Sequence, residues 1–175
     1  MLGVERDKIS LSPHDSSWAQ QFAATKEELL SIHSDNASAV YHVGSTAVKG
    51  IAAKPILDVA LVVRDIQALN IAGMERAGYE FCGERGVPGR FLFVKRRDGH
   101  ISTHHIHCYT KDHEDLRAVL LFCQYLNDHP AYAKQYNDLK TELAAMYPDD
   151  RLAYTDGKTA FISMIAALSA AQTRP

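Results

Sequence analysis

The chain predicts an α/β (α+β) fold, a mixed β-sheet core flanked by helices and followed by a helical C-terminal part. Three observations predict it. Residues 56–63 form a β-branched and apolar run broken only by Asp58, as expected of a strand covered on both faces. Asp98-Gly99 separates two strand-like runs, 90–96 and 101–109, which is a strong hairpin signal. From Asp112 onward apolar residues recur at helical spacing with no further strand signal. One domain is expected over residues 1–175, with the α/β core in 1–110 and the helical part in 111–175.

Taken in order, the residues up to about Pro13 read as a strand or arm, with Ile9 and Leu11 alternating. Asp15 or Ser16 can cap a helix beginning near Trp18. Trp18, Phe22, Leu29 and Ile32 form its buried stripe, and Asp35-Asn36 ends it. A short strand, 39–43, leads into Gly44-Ser45. In the run 56–63, Ile56, Asp58, Ala60 and Val62 share one face and the odd-numbered residues the other. Asp65 is placed to cap a helix that closes at Gly78. Residues 79–82 are extended, and the glycine- and proline-rich segment 83–89 is a loop.

If Asp98-Gly99 is a two-residue turn, Arg97 faces His100, Leu92 faces His105 and Arg90 faces His107. Arg90, His105 and His107 then share one sheet face, although a one-residue slip would move the whole set. Leu116, Val119, Leu120, Cys123 and Leu126 make a helical stripe ending at His129-Pro130, and Pro130 suits the first turn of the next helix. Thr155 or Asp156 can cap the last helix, from Thr159 to about Ala171. Lys158 stands at its start, where a cation opposes the helix dipole. An anionic ligand or a nearby carboxylate would offset that placement, and so would solvent exposure.

At 175 residues, with 46% hydrophobic and 23% charged, the chain is long and apolar enough to bury a real core. A net charge of −2 argues against a dedicated nucleic-acid-binding protein while leaving room for a local basic cleft. The three cysteines, Cys82, Cys108 and Cys123, form no Cys-x-x-Cys pair, which fits a reducing cytoplasm. Residues 1–10 are charged, so no secretory leader is expected, and no apolar run approaches the roughly 20 residues of a membrane span. A cytoplasmic protein without membrane partners is the expectation.

The chemistry concentrates between His42 and Asp58. Glycine and serine after a strand expose N–H groups and a hydroxyl that can hold phosphate oxygens. A carboxylate on the next strand, Asp58, can hold a divalent ion against those phosphates. The plainer alternative is a turn followed by a strand whose Asp58 only caps or pairs with Lys54. His105-Ile-His107 offers two imidazoles on alternate strand positions, which can approach one ion or serve as hydrogen-bonded strand residues. A mixed Asp/His set favours Mn, Fe or Zn over the Mg expected of an all-oxygen site.

Two resemblances follow from these residues. Gly44-Ser45 followed by Asp58 in a strand resembles the opening of the nucleotidyltransferase superfamily. His42-Val-Gly-Ser-Thr-Ala-Val48 and Gly50-Ile-Ala-Ala-Lys-Pro-Ile-Leu-Asp58 resemble the GrpB family more closely. Gly83-Glu-Arg-Gly-Val-Pro-Gly-Arg90, Thr103-His-His-Ile-His107 and Tyr154-Thr-Asp-Gly-Lys158 are similar to it as well. That family's biochemical role is poorly defined, and its domain also occurs appended to some dephospho-CoA kinases. The resemblance implies a nucleotidyltransferase-like core. It also implies a divalent metal (Mg, Mn or Zn) held by Asp58, His105 and His107, with Asp58 catalytic. A nucleotide or other phosphate-bearing small molecule would be bound by Gly44, Ser45, Lys54, Arg90 and Lys95. The superfamily's second carboxylate is replaced by Ala60; Glu84 could supply a substitute, or be a solvated loop residue paired with Arg85. Two functions therefore stand open: metal-assisted nucleotidyl or phosphoryl transfer, and a non-catalytic nucleotide- or phosphate-binding module acting with a partner enzyme.

Overall fold

The structure, a computed structural model, describes residues 1–5 and 8–172; Arg6 and Asp7 of the expected N-terminal arm, and 173–175, lie outside the described residues. Six strands form one mixed sheet: β1 (Val4–Glu5), β2 (Ala37–Val43), β3 (Leu57–Val63), β4 (Tyr79–Phe81), β5 (Phe91–Arg97) and β6 (Ile101–Thr110). Their order is β2-β3-β6-β5-β4, with β1 paired to the start of β6. β3 and β6 run parallel, and every other pair is antiparallel. The helices are α1 (Ser17–Ile32), α2 (Ile71–Arg76), α3 (Glu114–Asp128), α4 (Pro130–Met146), α5 (Arg151–Asp156) and α6 (Thr159–Gln172). The mixed α/β architecture and the helical second part are those expected.

The two faces of β3 are buried against different layers. Leu57, Val59, Leu61 and Val63 pack with Phe93 and Ile106 beneath Trp18 and Leu29 of α1 and Met74 of α2. Each such aliphatic side chain contributes roughly 1.5–3 kcal/mol relative to exposure. On the opposite face Ala60 and Val62 pack with Val43 and Tyr109 under Leu116 and Cys123 of α3. Ala60 is wholly buried there, so a second carboxylate two residues after Asp58 would enter an apolar core. A third cluster joins Val48 and Ile51 to Tyr125, Leu126, Tyr136 and Ile165 of α3, α4 and α6.

Local chemistry sets the element ends. Asp15, rather than Ser16, caps α1, its Oδ1 accepting the Ser17 N–H at 2.9 Å. The single helix expected from Asp65 to Gly78 is divided. Asp65 caps a 3-10 turn, Ile66–Ala68, and Asn70 restarts the chain as α2 by accepting the Gly73 N–H at 2.9 Å. Two competing caps in six residues break the helix.

The β5–β6 hairpin departs from a two-residue turn. Arg97 pairs with Ile101, so Asp98, Gly99 and His100 form a three-residue loop, and Thr103 is an extra residue opposite Lys95 and Arg96. The loop moves the register by one and the bulge by one more. Leu92 therefore faces His107, and Val94 faces His105. A shift of two preserves the parity of side chains, so Arg90, His105 and His107 keep the common face expected of them.

Candidate functional site

Asp58 stands second in β3, and the parallel register sets it beside His105 of β6. Its Oδ1 lies 3.1 Å from His105 Nδ1 and 3.4 Å from His107 Nε2. The three donor atoms lie within 4.8 Å of one another and are the one such group among the described residues. Burial pushes the Asp58 carboxyl up, but hydrogen bonds from His105 and His107, and their charge, outweigh it. The carboxyl is held well below the usual carboxylate range. An ionised carboxylate only accepts, so His105 Nδ1 and His107 Nε2 carry the protons.

Gly44 ends β2 directly behind this carboxylate. A Cβ added there would meet Asp58 Oδ2 at 2.6 Å, and the backbone, at φ 71° and ψ −170°, is one that glycine adopts freely. Ser45 opens the following 3-10 turn, within hydrogen-bond reach of Tyr136, whose hydroxyl burial nevertheless pushes up to about 12. Gly44 and Ser45 thus flank Asp58 from the β2 side, and the main cavity opens on the His105 side.

Arg90 is 7% exposed and its fork is already occupied. Nη1 donates to His107 Nδ1 at 2.9 Å, and Nη2 donates to the carbonyls of Glu84 at 2.7 Å and Arg85 at 3.3 Å. Nε alone lacks an acceptor. The loop 83–89 wraps this guanidinium by turning through positive φ at Gly83, Arg85, Gly86 and Gly89. Glu84 does not replace the missing carboxylate, because its Oε1 is spent on the Gly89 N–H at 2.7 Å. Arg90 therefore positions His107 and is not a free bidentate fork.

Lys95 is separated from the group. It is odd-numbered on a regular strand, so it points to the α1 face, where Nζ lies 3.3 Å from Glu28 and 4.4 Å from the Tyr79 ring centre. Strand alternation opposes its joining Arg90 in one cleft. His104 accompanies it on that face, and His42 stacks on Phe22 at 4.9 Å; burial lowers both to about 4. Neither belongs to the Asp58 group.

A cavity of about 400 Å³ opens over β5 and β6. His105 and His107 line it, together with Lys8, Lys54, Arg85, Arg90, Arg96 and Arg151 against the single carboxylate Glu5. Of these cations the sequence reading found only Lys54 and Arg90. Arg96 was legible from its shared parity with Arg90; Lys8, Arg85 and Arg151 come from separate segments and carried no signal.

The donor set fits one divalent ion by type and spacing. In a tetrahedral site with bonds of about 2.1 Å, neighbouring ligand atoms stand roughly 3.4 Å apart. Asp58 stands near that separation from both His105 and His107, at 3.1 and 3.4 Å, and all three ligand atoms lie within 4.8 Å of one another. One condition attaches: His107 can offer Nε2 only if its proton sits on Nδ1, which requires Arg90 Nη1 to turn away. No helix among the described residues is long and apolar enough to cross a membrane.

Comparison with known proteins agrees with the motifs. A family model described as GrpB protein matches residues 8–167. The chain is 38% identical over 157 residues to the UPF0157 protein YqkA of Bacillus subtilis (strain 168), covering 89% of this chain and 45% of that one. It thus spans less than half of that relative's length. It is 32% identical over 170 residues to the Glutamate-rich protein GrpB of Alkalihalophilus pseudofirmus, covering 94% of this chain and 98% of that one. The crystal structure of conserved protein GrpB from Enterococcus faecalis superposes with a TM-score of 0.86 at 34% identity, over 93% of this chain and 98% of that one.

Proposed function

The chain belongs to the GrpB family, and from that membership and the site geometry we propose that it binds a phosphate-bearing small molecule of the nucleotide class. On this reading Asp58, His105 and His107 would hold one divalent ion, whose charge would serve nucleotidyl or phosphoryl transfer on that molecule. The observation that carries the reading is the convergence of both histidines on one ionised carboxylate, beside a cavity lined by six cations and one carboxylate, two of the cations, Lys8 and Arg96, being paired with Asp149 and Glu80. Such a cavity attracts polyanions and excludes like-charged cations.

A divalent ion bound there supplies electrophilic stabilisation of the phosphoryl oxygens. The chain's own residues do the rest. Asp58 brings the single negative charge that orients both imidazoles. Gly44, lacking a side chain, lets the backbone approach that carboxylate, and Ser45 offers its hydroxyl on the same side. Lys54 neutralises phosphate charge from the cavity wall. Arg90 holds His107 with its Nδ1 as acceptor, and ligation through His107 Nε2 would require that contact to be released.

A second reading, a binding module without turnover, is favoured by buried Ala60, which removes the second carboxylate of a two-metal site, and by the Arg90–His107 contact. Elemental analysis of the wild type, Asp58→Ala and His107→Ala, followed by a nucleotide turnover panel with Mn²⁺ and Zn²⁺, separates the two. Stoichiometric metal and turnover lost in both variants support transfer. Nucleotide-dependent stabilisation without product supports the module. Absence of both metal uptake and nucleotide binding rejects the proposal.

A further inference from the structure

We infer that the helical part supplies a second phosphate subsite, formed by Lys54, Lys158 and Arg151 around Tyr154, and that the ligand of the cavity accordingly carries a di- or triphosphate. The inference rests on the phosphate-binding reading above and narrows its ligand class.

Tyr154 of α5 is 2% exposed, and its ring carries two ammonium groups, Lys158 Nζ at 4.4 Å and Lys54 Nζ at 5.4 Å from the centre. Arg151, at the first position of the same short helix, lines the cavity together with Lys54. Among the described residues none of these three side chains makes a hydrogen bond or stands within 4 Å of a carboxylate. Asp156, two residues before Lys158, is exposed and forms no ion pair with it, and the two acids ahead of α5 are engaged elsewhere. Asp149 holds Lys8 at 2.7 Å, and Asp150 caps α5 by accepting the Ala153 N–H at 3.0 Å.

Gathering like charges at a buried ring, with Lys158 just ahead of α6, is unfavourable in the protein alone. Attraction to one ring face compensates only part of it. Burial, then Lys54 and Arg151, lower Lys158 to about 8 against the pull of Asp58. Lys140 provides the contrast. It is buried in the same region, yet its ammonium donates to the Ala52 carbonyl, so its role is structural. Lys54 and Lys158 have no such acceptor.

Position completes the argument. Lys54 and Arg151 line the cavity that His105 and His107 also line, and Lys54 shares the Tyr154 ring with Lys158. The cation group and the Asp58 group are therefore neighbouring parts of one charged space. A single phosphate beside Asp58 leaves the Tyr154 group without an anion, whereas a polyphosphate chain can reach both.

The test is equilibrium binding of AMP, ATP and inorganic tripolyphosphate, with Mn²⁺ present, to the wild type, Lys54→Met, Lys158→Met and Lys158→Arg. Wild-type affinity for ATP should exceed that for AMP by about tenfold or more. Lys54→Met, at the cavity wall, should weaken both AMP and ATP binding, whereas Lys158→Met should lose most of that margin with AMP binding unchanged, which reports an intact fold. Lys158→Arg should keep it. Tripolyphosphate binding as tightly as ATP assigns the margin to phosphate alone. Equal wild-type affinities for AMP and ATP, or ATP binding indifferent to both Met variants, overturn the second subsite and leave single-phosphate binding standing. If no ligand binds at all, the phosphate-binding reading falls with it.

Discussion

Substituting Gly44 by alanine probes the closest approach in the candidate site. Two costs arise from separate causes. The backbone at φ 71° and ψ −170° lies where a side chain is strained, worth about 1–3 kcal/mol. The new Cβ would stand 2.6 Å from Asp58 Oδ2 and 2.9 Å from Asp58 Cβ, so β2 or the carboxylate must yield, at about 1–3 kcal/mol more. The sum, about 2–6 kcal/mol, is a large share of a typical domain's roughly 5–15 kcal/mol. Urea denaturation should read it as a midpoint lowered by about 1–3 M. Gly50→Ala is the control: φ is 75° and no atom lies within 4 Å of the added Cβ, so it reports backbone strain without the contact. Metal uptake should fall in Gly44→Ala and persist in Gly50→Ala. If the two variants lose equal stability and keep equal metal, the Gly44–Asp58 contact does not govern the site.

Three further outcomes are expected. Lys95→Met should leave nucleotide and metal binding unchanged and cost at most about 1 kcal/mol, since Lys95 pairs with Glu28 on the α1 face; a binding defect would contradict that placement. Lys140 has its pKa lowered to about 7, first by burial and then by Lys158, so the unfolded chain binds more protons above that value. Wild-type stability should therefore rise between about pH 7 and the free-lysine value of roughly 10.4. Chemical denaturation across that window should show a shallower rise in Lys140→Met, and an unchanged slope would refute the assignment. The lowered Asp58 carboxyl contributes stability that is full above the unfolded value of about 3.9 and is lost as pH falls through its folded value. Asp58→Asn should flatten the acid limb of the wild-type stability curve, and superimposable acid limbs would refute the carboxylate–histidine bonds.

What the amino-acid sequence determined by itself was whatever depends on local periodicity. The run through β3 announced a strand buried on both faces, and Trp18, Phe22, Leu29 and Ile32 announced the buried stripe of α1, because burial selects side chains at periods of 2 and 3.6. Arg90, His105 and His107 were legible as one group for the same reason. Their pairing was misread by two residues, an even number, so the shared face survived a longer loop and a bulge. Lys95 was open to the same parity rule, which sends it to the far face. The helix from Asp65 to Gly78 broke because Asn70 captures the Gly73 N–H, a competition the apolar pattern does not register.

Tertiary structure alone decided the rest. Asp58 meets His105 through a parallel pairing of strands more than forty residues apart in the chain, and a parallel register leaves no turn signal to read. Arg90 looked like a free phosphate fork until the loop carbonyls of Glu84 and Arg85 were seen to occupy it. Lys54 and Lys158 each stood out in the sequence, but nothing there joined them to each other or to Arg151. Only packing of α5 beside the loop before β3 brings Lys54 and Lys158 to one aromatic ring and Arg151 to the same cavity wall as Lys54. Alternation is a property of each strand, whereas convergence is a property of how the strands and helices are assembled.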